Sequence, residues 1–172
     1  MKVIDILNKS DKAVFSFELV PPLKGGDINK IYEAIEPLIA LAPPFINITF
    51  HRDEVVYREY PDGTIKKVTV TKRPGSVALA AAIMRRYNVD MVPHIVCGGA
   101  TRHKIENELI DLNFLDIENV MALRGDPIPG ERFFTPEEDG HQYSCELVEQ
   151  ITRMNHGQYL DDTLTEAVPT NF

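Results

Sequence analysis

Four short apolar runs, each rich in β-branched or aromatic residues and bounded by loop-forming residues, read as buried strands. They are Ala13–Leu19, Phe45–Phe50, Met91–Cys97 and Asn119–Leu123. After each one the apolar positions change to helical spacing. Behind Asp27, a plausible N-cap, Ile28, Ile31, Ile35, Leu38 and Ile39 share a face, and Pro43-Pro44 end the helix. Pro37 inside that helix predicts a kink or a late start. Val77, Ala80, Ala81 and Met84 mark a second helix, with Pro74 and Ser76 near its start. Thr101 caps a third, whose face is Ile105, Leu109 and Leu112. A fourth runs from about His141 to Arg153, with Tyr143, Leu147 and Ile151 on one stripe.

The order is strand then helix, four times over, which predicts a parallel sheet with right-handed crossovers. The longest gap, between the second and third strands, holds an insertion at about 54–71. Its middle, Tyr60-Pro61-Asp62-Gly63-Thr64, is a turn signal between two strand-like arms, so a β-hairpin is expected there. Four such units make either an open doubly wound sheet or half of a (βα)8 barrel. Polar residues decide between them. Glu18, Thr49 with His51, Arg52 and Asp53, then His94 with Cys97, then Arg124 with Asp126 all stand toward the C-terminal ends of the strands. Barrel strands converge their C-terminal ends on one face, whereas an open sheet binds mainly at one switch crevice. Contributions from all four strands favour the barrel.

The chain has 172 residues, enough for one core, with 44% hydrophobic and 26% charged residues. No apolar run approaches the roughly 18 residues of a membrane span, and the N-terminal stretch carries no secretory pattern. The net charge of −8 argues against nucleic acid as a partner. It also means that an anionic ligand must be held by local donors. Cys97 and Cys145 lie far apart, and neither belongs to a CxxC pair, so neither a disulfide framework nor a zinc site is expected. A reducing, cytoplasmic compartment fits.

Glu18 sits in Phe15-Ser16-Phe17-Glu18-Leu19-Val20-Pro21-Pro22. A carboxyl enclosed by such neighbours suits a general acid, and the plain alternative is a solvated strand end. His94, after Pro93, is either a hydrogen-bonded core histidine or a ligand contact, and no second residue stands at metal-ligand spacing. In Ala122-Leu123-Arg124-Gly125-Asp126-Pro127, an Arg, a Gly and an Asp leave a buried strand directly. Gly125 allows close backbone approach, Arg124 can clamp an anion, and Asp126 can accept from a ring N–H. The alternative is a turn held by an Arg–Asp contact. Cys97-Gly98-Gly99-Ala100-Thr101 lacks any nucleotide fingerprint and reads as a βα turn with a Thr cap. Cys145 reads as a buried small hydrophobe.

Taken in order, Phe15–Pro22, Asn47–Thr49, Pro93–Cys97, Ala100-Thr101, Ala122–Asp126 and Tyr143–Val148 resemble the methylenetetrahydrofolate reductases. The resemblance covers roughly residues 13–153. It implies a (βα)8 barrel that binds FAD, takes hydride from NADH or NADPH, and reduces 5,10-methylenetetrahydrofolate to 5-methyltetrahydrofolate, in one-carbon metabolism and methionine biosynthesis. By the same resemblance Glu18 is the general acid, Asp126 faces flavin and pterin, and Thr49 lies in the shared nicotinamide and folate pocket. Phe50, His94, Arg124, Gly125, Asp126, Tyr143 and Ser144 are the flavin-contacting positions. Phe50 stands where some members have Tyr, and Ser144 where some have Ala.

Against that pattern, residues 1–172 carry only the first four βα units. Completion by a C-terminal half, or a homo-oligomer, is expected. Two other readings stand beside it. A non-enzymatic half-barrel would self-associate across its open edges. An aldolase-type barrel would want a Schiff-base lysine on a strand, and none of the four runs has a lysine.

Overall fold

The computed structural model describes residues 1–172. In chain order the elements are α1 (Val3–Lys9), β1 (Phe17–Leu19), α2 (Ile28–Ile39), β2 (Phe45–Ile48), β3 (Glu54–Glu59), β4 (Ile65–Val70), α3 (Ser76–Tyr87), β5 (Asp90–Val96), α4 (Arg102–Phe114), β6 (Met121–Leu123) and α5 (Ser144–Met154). Four strands form one parallel sheet in the order β1-β2-β5-β6. The order never reverses, so the sheet has no switch crevice of the doubly wound kind.

Register assigns the two faces. Ile46 pairs with Phe17 and Met91, and Ile48 with Leu19 and Pro93. In a parallel sheet such partners point to the same side. Ile46, Ile48, Met91 and Ile95 are buried with Ile35 of α2, Leu79 and Ile83 of α3, Ile105, Leu109 and Leu112 of α4, and Leu147, Ile151 and Met154 of α5 in one core. The helices therefore cover one face. The other face carries Glu18, Asn47, Val92 and His94, since Glu18, Asn47 and Val92 share a register row.

Three strands are shorter than the apolar runs predict: β2 stops at Ile48 rather than Phe50, and proline explains the other two. Extending β1 back from Phe17 would put Val14 and Phe15 opposite Pro43 and Pro44, which have no N–H to offer the ladder. Phe15 is accordingly 77% exposed. Extending β6 back from Met121 would put Val120 opposite Pro93. The hairpin is present as expected: β3 and β4 pair antiparallel from Glu54↔Val70 to Glu59↔Ile65. Gly63 at φ +77° makes the turn, and the Asp62 carboxylate accepts from the Thr64 N–H and hydroxyl.

α2 starts where its Asp27 cap predicts, with Asp27 accepting from the Asn29 N–H at 2.9 Å. Pro37 lies in its last turn and removes only one hydrogen bond there, so no late start is needed. Thr101 caps α4 by accepting from the Lys104 N–H. α5 begins at Ser144 rather than His141, and Tyr143 is its exposed cap rather than part of its buried stripe. Cys145 is exposed, not buried, because Leu147 and Ile151 take the inward face of α5. α1 has no counterpart among the expected helices. It buries no residue, and it is held by the Asn119 side chain, which accepts from the Val3 N–H at 2.8 Å and donates to the Met1 carbonyl at 2.9 Å.

Candidate active site at the strand ends

The chain leaves β6 through Arg124, Gly125 and Asp126 and later enters α5 at Tyr143 and Ser144. These five residues, with Leu123, line one open groove of about 460 Å³. Five of the residues singled out in sequence are thus brought together across a separation of some twenty positions. Gly125 has φ +85°, and a Cβ built on it would lie 2.6 Å from Val96 Cγ1. A bare backbone is needed there, and it leaves the peptide open toward the groove.

Arg124 makes no ion pair with Asp126, so the loop is not a turn held by an Arg–Asp contact. The Arg124 guanidinium lies 5.4 Å from the centroid of the buried Phe134 ring and its Nε donates to the Gly125 carbonyl at 3.5 Å. The neighbouring cation is Arg52, from the loop after β2. It donates to the Asp126 carbonyl at 3.4 Å and packs against Gly98 and Gly99. Gly98 is buried, and a Cβ on it would meet Arg52 Nη1 at 3.2 Å. The Gly98-Gly99 pair thus lets an arginine cross from β2 to the β6 loop, a role that its place beyond the strand did not reveal. Two guanidiniums beside an open peptide supply the local donors that an anion needs on a chain of net charge −8.

The α5 end of the groove is fixed by Glu146. Its carboxylate accepts from the Gln142 N–H at 2.7 Å and the Tyr143 N–H at 3.1 Å, and these bonds hold it below the usual glutamate range. Behind it, buried His141 meets Gln150 at 2.6 Å, and Gln150 donates to the Arg102 carbonyl. Cys97 is buried under the Tyr143 carbonyl, and burial pushes its thiol up to about 11, so it stays protonated and is no nucleophile.

The remaining candidates occupy the uncovered sheet face and its upper rim. Glu18 on β1 is not enclosed as its apolar neighbours suggested: its side chain is 58% exposed, because β1 is an edge strand with only β2 beside it. His94 on β5 is buried, and its Nε2 lies 3.7 Å from Glu18 Oε2. Burial lowers the His94 pKa, against the opposing pull of Glu18. Thr49 follows β2 directly, its N–H and hydroxyl both donating to the Leu19 carbonyl. Phe50 follows it, half-buried, and is not a wall of the groove. Asn47 is a site-face residue that the sequence reading did not single out for a role. It is buried, donates to Ser16 Oγ at 3.3 Å, and its Oδ1 has no partner. An amide between two isoleucines in a short strand was the available signal.

A parallel α/β domain with its candidate functional groups gathered toward the carboxyl ends of the strands is the class that this geometry defines. The sequence model of the family described as methylenetetrahydrofolate reductase matches residues 2–168, and the chain belongs to that family. It is 27% identical over 167 residues to "Methylenetetrahydrofolate reductase (NADH) 1" of Arabidopsis thaliana, an alignment that takes in 95% of this chain and 25% of that protein. It is 27% identical over 155 residues to "Methylenetetrahydrofolate reductase 1" of Schizosaccharomyces pombe, covering 88% of this chain and 23% of the other. With "5,10-methylenetetrahydrofolate reductase" of Salmonella typhimurium it shares 25% identity over 115 residues, 67% of this chain and 33% of that one. The chain spans about a quarter of the length of the Arabidopsis relative it matches.

Proposed function

We propose that residues 1–172 supply the first four βα units of a (βα)8 reductase barrel, which reduces 5,10-methylenetetrahydrofolate to 5-methyltetrahydrofolate with NAD(P)H and FAD. The observation that carries this reading is the groove where Arg124, Gly125, Asp126, Tyr143 and Ser144 meet. The residues present fit a flavin dinucleotide. Gly125, which packs too closely on Val96 to carry a Cβ, lines the groove with bare backbone, and Arg124 and Arg52 stand ready for a pyrophosphate. When bound, FAD would supply the relay of hydride from nicotinamide to folate.

The chain's own residues do the rest. Arg124 and the Gly125 peptide hold the cofactor's polar part, with the α5 N-terminus beside them. Asp126, exposed at the groove, presents an acceptor to a ring N–H of flavin or pterin. Thr49 directly after β2 borders the pocket that nicotinamide and folate share. Glu18 gives its proton to the amine nitrogen of the methylene bridge as the bridge opens, leaving an electrophilic iminium on the folate and a carboxylate on the protein. His94 and Phe50 complete the flavin-facing set.

The outer edges of β1 and β6 have no strand partner, which supports completion by a C-terminal half or by a second copy. The test follows the flavin. FAD is titrated into the chain, alone and mixed with the second half of a curated relative's barrel. The mixture should turn yellow, bleach with NADH, and regain colour with methylenetetrahydrofolate. A mixture that binds no flavin would overturn the reading.

A further inference from the structure

His94 is a buried histidine with one unanswered ring nitrogen. It is 5% exposed, and Nε2 has no hydrogen-bond partner in the protein. A buried polar atom left without a partner is costly and calls for an explanation. The charged group nearest to it is the Glu18 carboxylate, 3.7 Å away, on a strand separated from β5 by β2. The Glu18 side chain is largely exposed and free to turn, whereas His94 is enclosed. A movement of the carboxylate by about 1 Å would make a hydrogen bond of ordinary length. Catalytic hydrogen bonds are often long until the ligand is in place.

We propose that His94 is the positioning residue of Glu18, its neutral ring donating Nε2–H to the carboxylate and holding it over the uncovered face of the sheet. The inference deepens the reductase reading and rests on it for the identity of the proton acceptor. The proton balance is simple. Glu18 as the acid gives its proton to the folate nitrogen and becomes a carboxylate. His94 keeps its own proton and donates a hydrogen bond to the new charge, and solvent later returns a proton to Glu18. Burial serves this role, since it keeps the imidazole neutral and therefore a donor that does not compete as an acid. Without His94, an exposed glutamate on an edge strand would have no fixed direction.

The pair can be tested in the full chain with neither flavin nor folate. Ring signals of His94 are followed by nitrogen–proton NMR through a pH titration, in the wild type and in Glu18→Gln. Glu18 is exposed, so the substitution leaves the core intact. Loss of the carboxylate should lower the His94 midpoint by about half a pH unit or more and move its Nε2 resonance. In the flavin-loaded enzyme, His94→Leu should slow folate reduction at saturating folate about tenfold or more, and His94→Gln, which keeps a nitrogen donor, should recover part of that rate. Each His94 variant should cost clearly less when Glu18→Gln is already present than it does alone, and equal costs in the two backgrounds would show that His94 does not act through Glu18. If the ring signals and midpoint of His94 ignore Glu18→Gln, the pairing is wrong. Absence of folate reduction in the wild type would sink the reductase reading alone, because the NMR result does not depend on it.

Discussion

Gly125 and Val96 stand so close that a Cβ on the glycine would lie 2.6 Å from Val96 Cγ1, and the glycine also holds φ at +85°. The contact presses the β6 loop against the end of β5 just where the groove opens. Gly125→Ala meets both obstacles, a steric clash and a left-handed backbone. It should lose about 1–3 kcal/mol of stability in urea denaturation, the usual scale for such strain. Adding Val96→Ala removes the clash but not the backbone strain, so the double variant should recover only part of the loss. Wild-type stability in Gly125→Ala would mean that the loop is not held as described.

Under the proposed reductase reading, Glu18 and Asp126 should separate the two half-reactions. Glu18→Gln should leave flavin reduction by the nicotinamide intact, since that step needs no proton from Glu18. Folate reduction should fall about a hundredfold, the scale for loss of a general acid. Asp126→Asn keeps the shape but removes a negative charge, so it should raise the flavin potential and weaken folate binding. Stopped-flow absorbance reads both steps. Equal slowing of the two by Glu18→Gln would end its assignment as the folate-side acid.

Glu146 ties pH to the α5 end of the groove. Its carboxylate is held below the ordinary glutamate value of 4.5 by the Tyr143 and Gln142 N–H groups. A carboxyl depressed in the folded state adds stability above its unfolded pKa and loses it as pH falls through the folded one. Wild type should therefore be more stable than Glu146→Ala near neutrality, with the gap closing as pH drops below 4.5. Urea midpoints of both proteins across the acid range check this, and a gap independent of pH would show that the cap does not depend on charge.

The unpaired outer edge of β6 predicts self-association or pairing. Met121 on that strand is 39% exposed and lines a groove of about 730 Å³ between α1, the sheet and α5. An inward-pointing charge at a sheet edge blocks strand addition. In sedimentation velocity the wild type should associate with rising concentration, and Met121→Lys should shift it toward monomer while keeping its circular dichroism. A wild type that stays a monomer at every concentration would remove the edge-pairing argument.

Much of the fold was legible because its signals are local. Asp27 and Thr101 are caps whose side chains bond two or three residues on. Tyr60–Thr64 is a turn whose Asp62 carboxylate reaches only to Thr64. Two of the strand readings went too far because of residues distant in sequence: Pro43 and Pro44, just before β2, opposite Val14 and Phe15, and Pro93 on β5 opposite Val120. α1 escaped notice because it buries no residue and its ties, to Asn119 and from Met1 to Asp90, reach distant parts of the chain.

The candidate site divides in the same way. Types and order along the chain, with Arg124-Gly125-Asp126 leaving one strand and Glu18 on another, were sufficient by themselves to indicate the family and the chemistry to expect. Periodicity and turn chemistry also announced the four βα units and the hairpin, since each signal is carried within a few residues. Tertiary structure alone decided that Tyr143 meets Arg124 in one groove, that Arg52 crosses to the Asp126 carbonyl, that Glu18 is open to solvent, and that His94 lies beside it. Those relations depend on strand register and on which edge a strand occupies, and both follow from how the core packs as a whole.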